Sequence, residues 1–271
     1  MAQHITRLEF LAPQPRGRPT DRLVVQVSQL LESAYGSYVW PSALVLAAYI
    51  QAHSQQFEHA RVIELGCGTG MAGIAAALCG ASHVVLTDLP DPPVLKNVAK
   101  NRSLNGLDET AVRIVPLQWG TYSFLEHHWA DMVDADFILG ADLFYDSSDF
   151  DDLLATVAYL MGEAQTRAGR RCVFLTTYQE RSSRRCIQSQ LERYGLVGQV
   201  VPLESFGFDP DHIRTAVVER NGRAGDEEAD EEAADEDDEE DDEEDEERNG
   251  RLPDSVDSVI LLRIQQRGER I

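Results

Sequence analysis

The chain has no long apolar run. Its longest, "SALVLAAYI" (42–50), falls far short of the ~20 residues a membrane span needs, so no contact with a membrane is expected. The first ten residues, "MAQHITRLEF", lack the basic start and apolar stretch of a signal peptide. Cysteine is scarce: Cys67, Cys79, Cys172 and Cys186 stand singly, with no CxxC and no paired histidine spacing. That pattern argues against zinc and disulfides and for free thiols in a reducing compartment, nucleus and cytoplasm. A basic excess is missing too. The net charge is −23, but 19 acids are packed into the 22 residues Asp226 to Glu247. Outside that tract 28 acidic residues face 24 basic ones, a near balance that does not favour a phosphate backbone, so no direct binding of nucleic acid is expected. The tract repels itself and should be disordered, serving as a solvated spacer or as a docking arm for a basic partner such as a histone.

Against these absences stands a local surplus of glycine. "VIELGCGTGMAG" (62–73) puts four glycines within eight positions after a strand-like segment. Glycine there costs backbone entropy, which points to a ligand lying close to the main chain. Two cofactor classes use such a turn. Gly66-x-Gly68-x-Gly70 fits S-adenosylmethionine enzymes, while Gly68-x-Gly70-x-x-Gly73 also satisfies the dinucleotide pattern. Glu64, two places before the first glycine, tips the balance: a carboxylate suits the ammonium of S-adenosylmethionine and repels a pyrophosphate. Asp88 closes the next strand, placed to accept from ribose hydroxyls of either cofactor.

Short β-branched runs alternate with helix-like stretches, the pattern of an α/β fold with a mostly parallel sheet. Strands are expected at 61–65, 83–88, 112–117, 135–142, 171–178, 196–203 and 256–264. Helices are expected at 41–55, 71–80, around 94–104, from Ser148 (as the cap) through Gly162, and over 182–194. Residues 1–32 form an N-terminal extension, with "LVVQVSQL" (23–30) in a small hairpin. The segment 213–220 is taken as part of the connection that carries the acidic insertion, about 221–252. His127 and His128 read as exposed, "ERSSRR" (180–185) as a solvated helix start.

The segments "YVWPSALVLAAYI", "ELGCGTGMAGIAAALCGA", "PLQWG", "ADLFYDSSDFDDLLATVAYLM", "TTYQERS" and "PLESF", in this order, resemble the family-16 seven-strand protein methyltransferases. The resemblance implies a class I, Rossmann-like S-adenosylmethionine-dependent methyltransferase domain over 33–271, with five parallel strands and a final antiparallel pair. It implies cofactor contacts at Trp40, Gly66, Cys67, Gly68, Asp88, Trp119 and Ala141. It also matches the family's acid-x-x-aromatic motif to Asp142-Leu143-Phe144-Tyr145, and implies methylation of a side chain in another protein.

The sulfonium already makes the methyl group an electrophile, so the protein has to align a nitrogen and exclude water. Asp142 is assigned to grip that nitrogen, with Tyr145 and Phe144 as the channel wall. A lysine must be made neutral by desolvation, whereas an arginine keeps its charge and needs carboxylates. Arginine of a histone tail is the leading expectation. Lysine of a non-histone protein, and a catalytically silent histone-binding adaptor, stand as alternatives. Glu204 in "PLESF" is offered as a second carboxylate.

Overall fold

The computed structural model describes residues 3–13, 15, 17–30, 38–121, 132, 134–179, 187–221 and 258–268. His127 and His128, the patch 180–185, Cys186 and the acidic insertion beyond Asn221 lie outside the described residues.

In chain order the elements are β1 (Gln3–Leu11), β2 (Arg22–Leu30), α1 (Pro41–Ala52), α2 (Ser54–Phe57), β3 (Arg61–Glu64), α3 (Met71–Leu78), β4 (His83–Asp88), α4 (Pro92–Leu104) and β5 (Val112–Pro116). There follow β6 (Phe137–Ala141), α5 (Phe150–Ala168), β7 (Val173–Gln179), α6 (Gln188–Arg193), β8 (Leu196–Val201), β9 (Ile213–Asn221) and β10 (Val259–Gln266).

The main sheet has seven strands in the order β5-β4-β3-β6-β7-β10-β8. The first five run parallel. β10 is wedged between β7 and β8 and is antiparallel to both. The central strands read as continuous apolar runs because both faces are covered. Val62, Leu86, Leu139 and Leu175 point into one core, with α1 and α3. Their chain neighbours Ile63, Val85, Ile138 and Phe174 point into the other, against α5. This is the period-two alternation of a strand, here apolar on both sides.

Two expectations need correction. The segment 213–220 is not a plain connection: it is β9, which pairs antiparallel with β1 and completes a second sheet, β2-β1-β9. Its polar and apolar residues are mixed because only one face is buried. In β1 and β2, Leu8, Phe10, Leu23, Val25 and Val27 enter the same core as α1 and α3. At the start of α5, Ser148 is not the acceptor cap. Asp146 accepts from the Ser148 backbone N–H (2.9 Å) and hydroxyl (2.8 Å), forming a 3-10 turn that precedes the helix.

β2 faces outward, and an exposed strand edge invites pairing with another chain. Here α4 covers it with side chains. Asn105 accepts from Gln26 N–H (2.9 Å) and donates to Gln26 C=O (2.8 Å), as an adjacent strand would. Asn101, one turn earlier, accepts from Ser28 N–H (2.7 Å), and Asn97 donates to Ser28 C=O (2.9 Å). The i, i+4, i+8 spacing puts the three amides in one row along the helix, and i, i+2 spacing on the strand meets it.

Candidate active site

A cleft of about 910 Å³ opens at the carboxyl ends of β3, β4 and β6, where open α/β sheets bind ligands. Trp40, Glu64, Gly66, Cys67, Gly68, Asp88, Trp119, Ala141, Asp142 and Tyr145 all line it, so the ten candidates scattered over the sequence meet in one place. A second concavity, about 510 Å³, lies beside Arg170 and Arg171 at the other end of the strands.

The floor is the turn between β3 and α3, and several of its backbone groups are tied down. Cys67 N–H donates to Thr87 C=O (2.8 Å) and Gly70 N–H to Cys67 C=O (2.7 Å). Asp88 accepts from Gly68 N–H (2.7 Å) and from Leu89 N–H (2.8 Å), which fixes its carboxylate beside the turn. Gly66 has φ +53°, and a Cβ built there would lie 2.8 Å from Leu143 Cδ2 and 3.1 Å from Trp119 Cζ2. The bare peptide is thus what leaves room for Trp119 to wall the cleft. Cys67 is buried, and burial pushes its thiol well above the usual range, which keeps it a protonated, unreactive group.

Glu64 answers the ambiguity of the glycine pattern. Its carboxyl accepts from Gly73 N–H at 2.7 Å, in the first turn of α3. The helix N-terminus, where a dinucleotide's pyrophosphate would sit, is therefore already taken by a side chain of the protein itself. Gly73 is required for this approach, because a Cβ there would lie 2.7 Å from Glu64 Oε2 and 2.3 Å from Leu86 Cδ2.

Burial lifts the Glu64 carboxyl to about 8, with the nearby Asp88 adding to the shift and the N–H of Gly73 opposing it. Burial raises Asp88 as well, against the N–H groups of Gly68 and Leu89. A carboxyl whose folded value is raised stabilises the fold fully below its ordinary value of 4.5, and that contribution is lost as pH climbs to about 8. The cofactor-free protein should accordingly melt at lower temperature as pH rises across that window. In Glu64→Gln, which keeps an oxygen for Gly73 N–H, calorimetric melts should show a visibly shallower slope.

Asp142 follows β6 with φ +57°, a left-handed conformation uncommon outside glycine. Its N–H donates to Thr177 C=O (2.7 Å) and its Oδ1 accepts from Gln179 N–H (3.3 Å), so β7 holds the strained residue in place. Tyr145 stands half exposed at the mouth. Burial and the nearby Asp149, Asp88, Asp146 and Asp142 raise its hydroxyl above the ordinary value.

Phe144 departs from expectation: it is buried against Phe150 and Tyr178 and does not wall the cleft. Its partners are aromatic residues on α5 and β7, which the motif alone does not reveal. Glu204 is also misplaced as a second carboxylate. It sits on an exposed turn next to Phe206, which packs on Tyr49 away from the cleft. The further carboxylates that reach the cleft, beside Glu64, Asp88 and Asp142, are Asp91, Asp149 and Asp152. The last two stand at the start of α5, where an acid complements the positive end of a helix, and they face the cleft as well. Tyr38, Leu89 and Gln179 also line the mouth; none of them was a named candidate, although Tyr38 and Gln179 lie inside segments that carry the family resemblance.

The bare turn at Gly66, the anchored Asp88 carboxylate and the cleft volume fit an S-adenosylmethionine-sized cofactor held along the strand ends. Comparison with known proteins agrees. A family described as lysine methyltransferase matches residues 19–189. The Xenopus laevis protein named histone-arginine methyltransferase METTL23 is 37% identical over 201 residues, 74% of this chain and 81% of that one. The EEF1A lysine methyltransferase 3 of Xenopus tropicalis is 39% identical over 124 residues, 46% of this chain and 52% of that one. In fold, the METTL16 methyltransferase domain superposes with a TM-score of 0.52 at 11% identity, covering 90% of this chain and 74% of that one. The methyltransferase SMU.776, solved with S-adenosylhomocysteine, gives 0.50 at 11% identity over 89% of this chain and 53% of that one. The chain belongs to methyltransferase family 16, and it is an S-adenosylmethionine-dependent protein methyltransferase.

Proposed function

We propose that the enzyme methylates arginine within a basic protein segment such as a histone tail. One observation carries this reading. Among the described residues the cleft is lined by the carboxyl side chains of Asp88, Asp91, Asp142, Asp149 and Asp152, with the largely uncharged Glu64 beneath them, and by no lysine, arginine or histidine. Such a site stabilises a cation. For lysine this works against reaction, because the ammonium must lose its proton before it can attack, and surrounding carboxylates raise its pKa. Guanidinium attacks from its charged form and gives up its proton as the new bond forms, so carboxylates help throughout.

When bound, S-adenosylmethionine supplies the electrophilic methyl group. Asp88 and the turn at Gly66, Cys67 and Gly68 hold it, with Trp40, Trp119 and Ala141 walling its place and Glu64 beneath. Asp142 grips and orients the target nitrogen. Tyr145, with Tyr38 and Leu89, sheathes the entering side chain and excludes water. These three are among the few large apolar side chains exposed in the described residues, and they cluster at one mouth. Asp149 and Asp152 receive neighbouring basic residues of the substrate. The naming of the Xenopus laevis relative as a histone-arginine methyltransferase supports the same reading. The same proposal has the enzyme work in nucleus and cytoplasm, with the acidic tract 226–247 as a secondary dock for basic partners.

The test uses two basic peptides that differ only in whether the single acceptor is arginine or lysine, with radiolabelled cofactor. The arginine peptide should react with at least tenfold higher kcat/KM and a rate nearly flat from pH 7 to 9. Preferred labelling of the lysine peptide, with a rate climbing steeply with pH, would overturn the assignment. Deleting 226–247 should leave transfer to a short peptide intact, whereas an adaptor without turnover gives no transfer at all.

A further inference from the structure

The small sheet β2-β1-β9 lies outside the catalytic cleft, yet two adjacent residues of β2 reach both sides of it. At Ser28 the link runs through α4. Asn101, fully buried, accepts from Ser28 N–H (2.7 Å) and with the same amide donates to Thr69 C=O (2.9 Å), inside the cofactor turn. At the next residue, Gln29 Oε1 accepts from Val39 N–H (2.9 Å), between Tyr38 and Trp40, which both line the cleft. The Gln29 amide nitrogen donates in turn to Thr6 Oγ1 (3.0 Å) on β1, with His4 Nε2 at 3.2 Å, which fixes the rotamer. The main chain of Ser28, at the sheet edge, thus reaches the turn through Asn101, while the side chain of the next residue, Gln29, holds the tryptophan segment.

We propose that Gln29 and Asn101 are positioning residues that set the cofactor cleft, and that the N-terminal sheet thereby determines affinity for S-adenosylmethionine. This rests on the reading of the cleft as the cofactor's place. Neither residue lines the cleft. Each acts by holding a main-chain group whose displacement would move the floor or the wall. A buried amide that loses its partner leaves a backbone N–H or C=O unsatisfied, and the segment shifts to find water.

A built-in control separates positioning from mere stability. Asn97 binds the same strand residue, Ser28, through one hydrogen bond and makes none to Thr69. A second control keeps the essential acceptor: in Gln29→Glu a carboxyl oxygen still meets Val39 N–H, and the Thr6 hydroxyl can turn to donate.

The experiment is calorimetric titration of the full chain with S-adenosylhomocysteine, together with melting curves and steady-state kinetics. Gln29→Leu and Asn101→Ala should each weaken binding about tenfold and raise KM for the cofactor, with kcat at saturating cofactor within threefold of wild type. Gln29→Glu should bind within threefold of wild type, and Asn97→Ala within twofold although it melts earlier. Should Asn101→Ala fail to fold, the Gln29 pair decides alone. Wild-type binding with unchanged affinity in Gln29→Leu, or equal losses in Gln29→Leu and Gln29→Glu, would overturn the positioning role. Absence of binding by the wild type would instead strike at the cofactor cleft itself.

Discussion

Gly66→Val should abolish binding of S-adenosylhomocysteine, weakening it at least a hundredfold in a calorimetric titration. Two effects add. The residue sits at φ +53°, where a β-branched side chain is strongly disfavoured. Its Cβ would also arrive 2.8 Å from Leu143 Cδ2 and 3.1 Å from Trp119 Cζ2, so the indole must leave the position from which it walls the cleft. Moving the turn also draws Gly68 N–H away from Asp88, now joined at 2.7 Å. Gly106→Ala provides the comparison. It too has positive φ, +69°, but nothing lies within 4 Å of the added carbon. That substitution should cost roughly 1 kcal/mol in stability and leave binding unchanged. Retention of affinity within threefold by Gly66→Val would contradict the placement of the cofactor against this peptide.

The second large effect is expected at Asp142. Asp142→Asn should lower kcat by about 10²–10³-fold, the usual loss when one polar group aimed at the reacting centre is removed. Affinity for S-adenosylhomocysteine should stay within threefold. Asparagine is well suited to the measurement because it tolerates left-handed φ readily, so the +57° backbone is kept. Its side-chain oxygen can still accept from Gln179 N–H. Folding and the melting curve should therefore barely change, isolating the charge. If the substitution weakened cofactor binding as much as turnover, Asp142 would belong to the cofactor and not to the substrate.

Much of the sheet was legible because parallel strands covered on both faces announce themselves as unbroken apolar runs. "HVVLTD" spans β4 from His83 to Asp88 with no shift. β9 hid because it is an edge strand with one buried face: Ile213 is buried, while alternate residues such as Val218 are exposed. The cleft residues could be read where a backbone need dictated the residue type, as at Gly66, or where a motif did, as at Asp142 and Tyr145. Asp149 and Asp152 were hidden by a second role, since an acid at the start of α5 already has a reason to be there. Phe144 and Glu204 mark the opposite failure. Adjacency to Tyr145 or a carboxyl group suggested a site, and only packing on Phe150, or distance from the cleft, decided against it. The asparagine row on α4 reads as an ordinary polar helix face until β2 is brought against it.

The insertion of β10 between β7 and β8 has a consequence for how the chain is made. While the ribosome is still adding 222–257, β8 has been completed but has no strand to lie against, and the edge of β7 (Val173–Gln179) stays bare. At ~5–20 residues per second that wait lasts a few seconds in each round of translation. Holdase chaperones, or mere speed of elongation, thus bear on the yield of active enzyme in a way that no residue in the cleft controls.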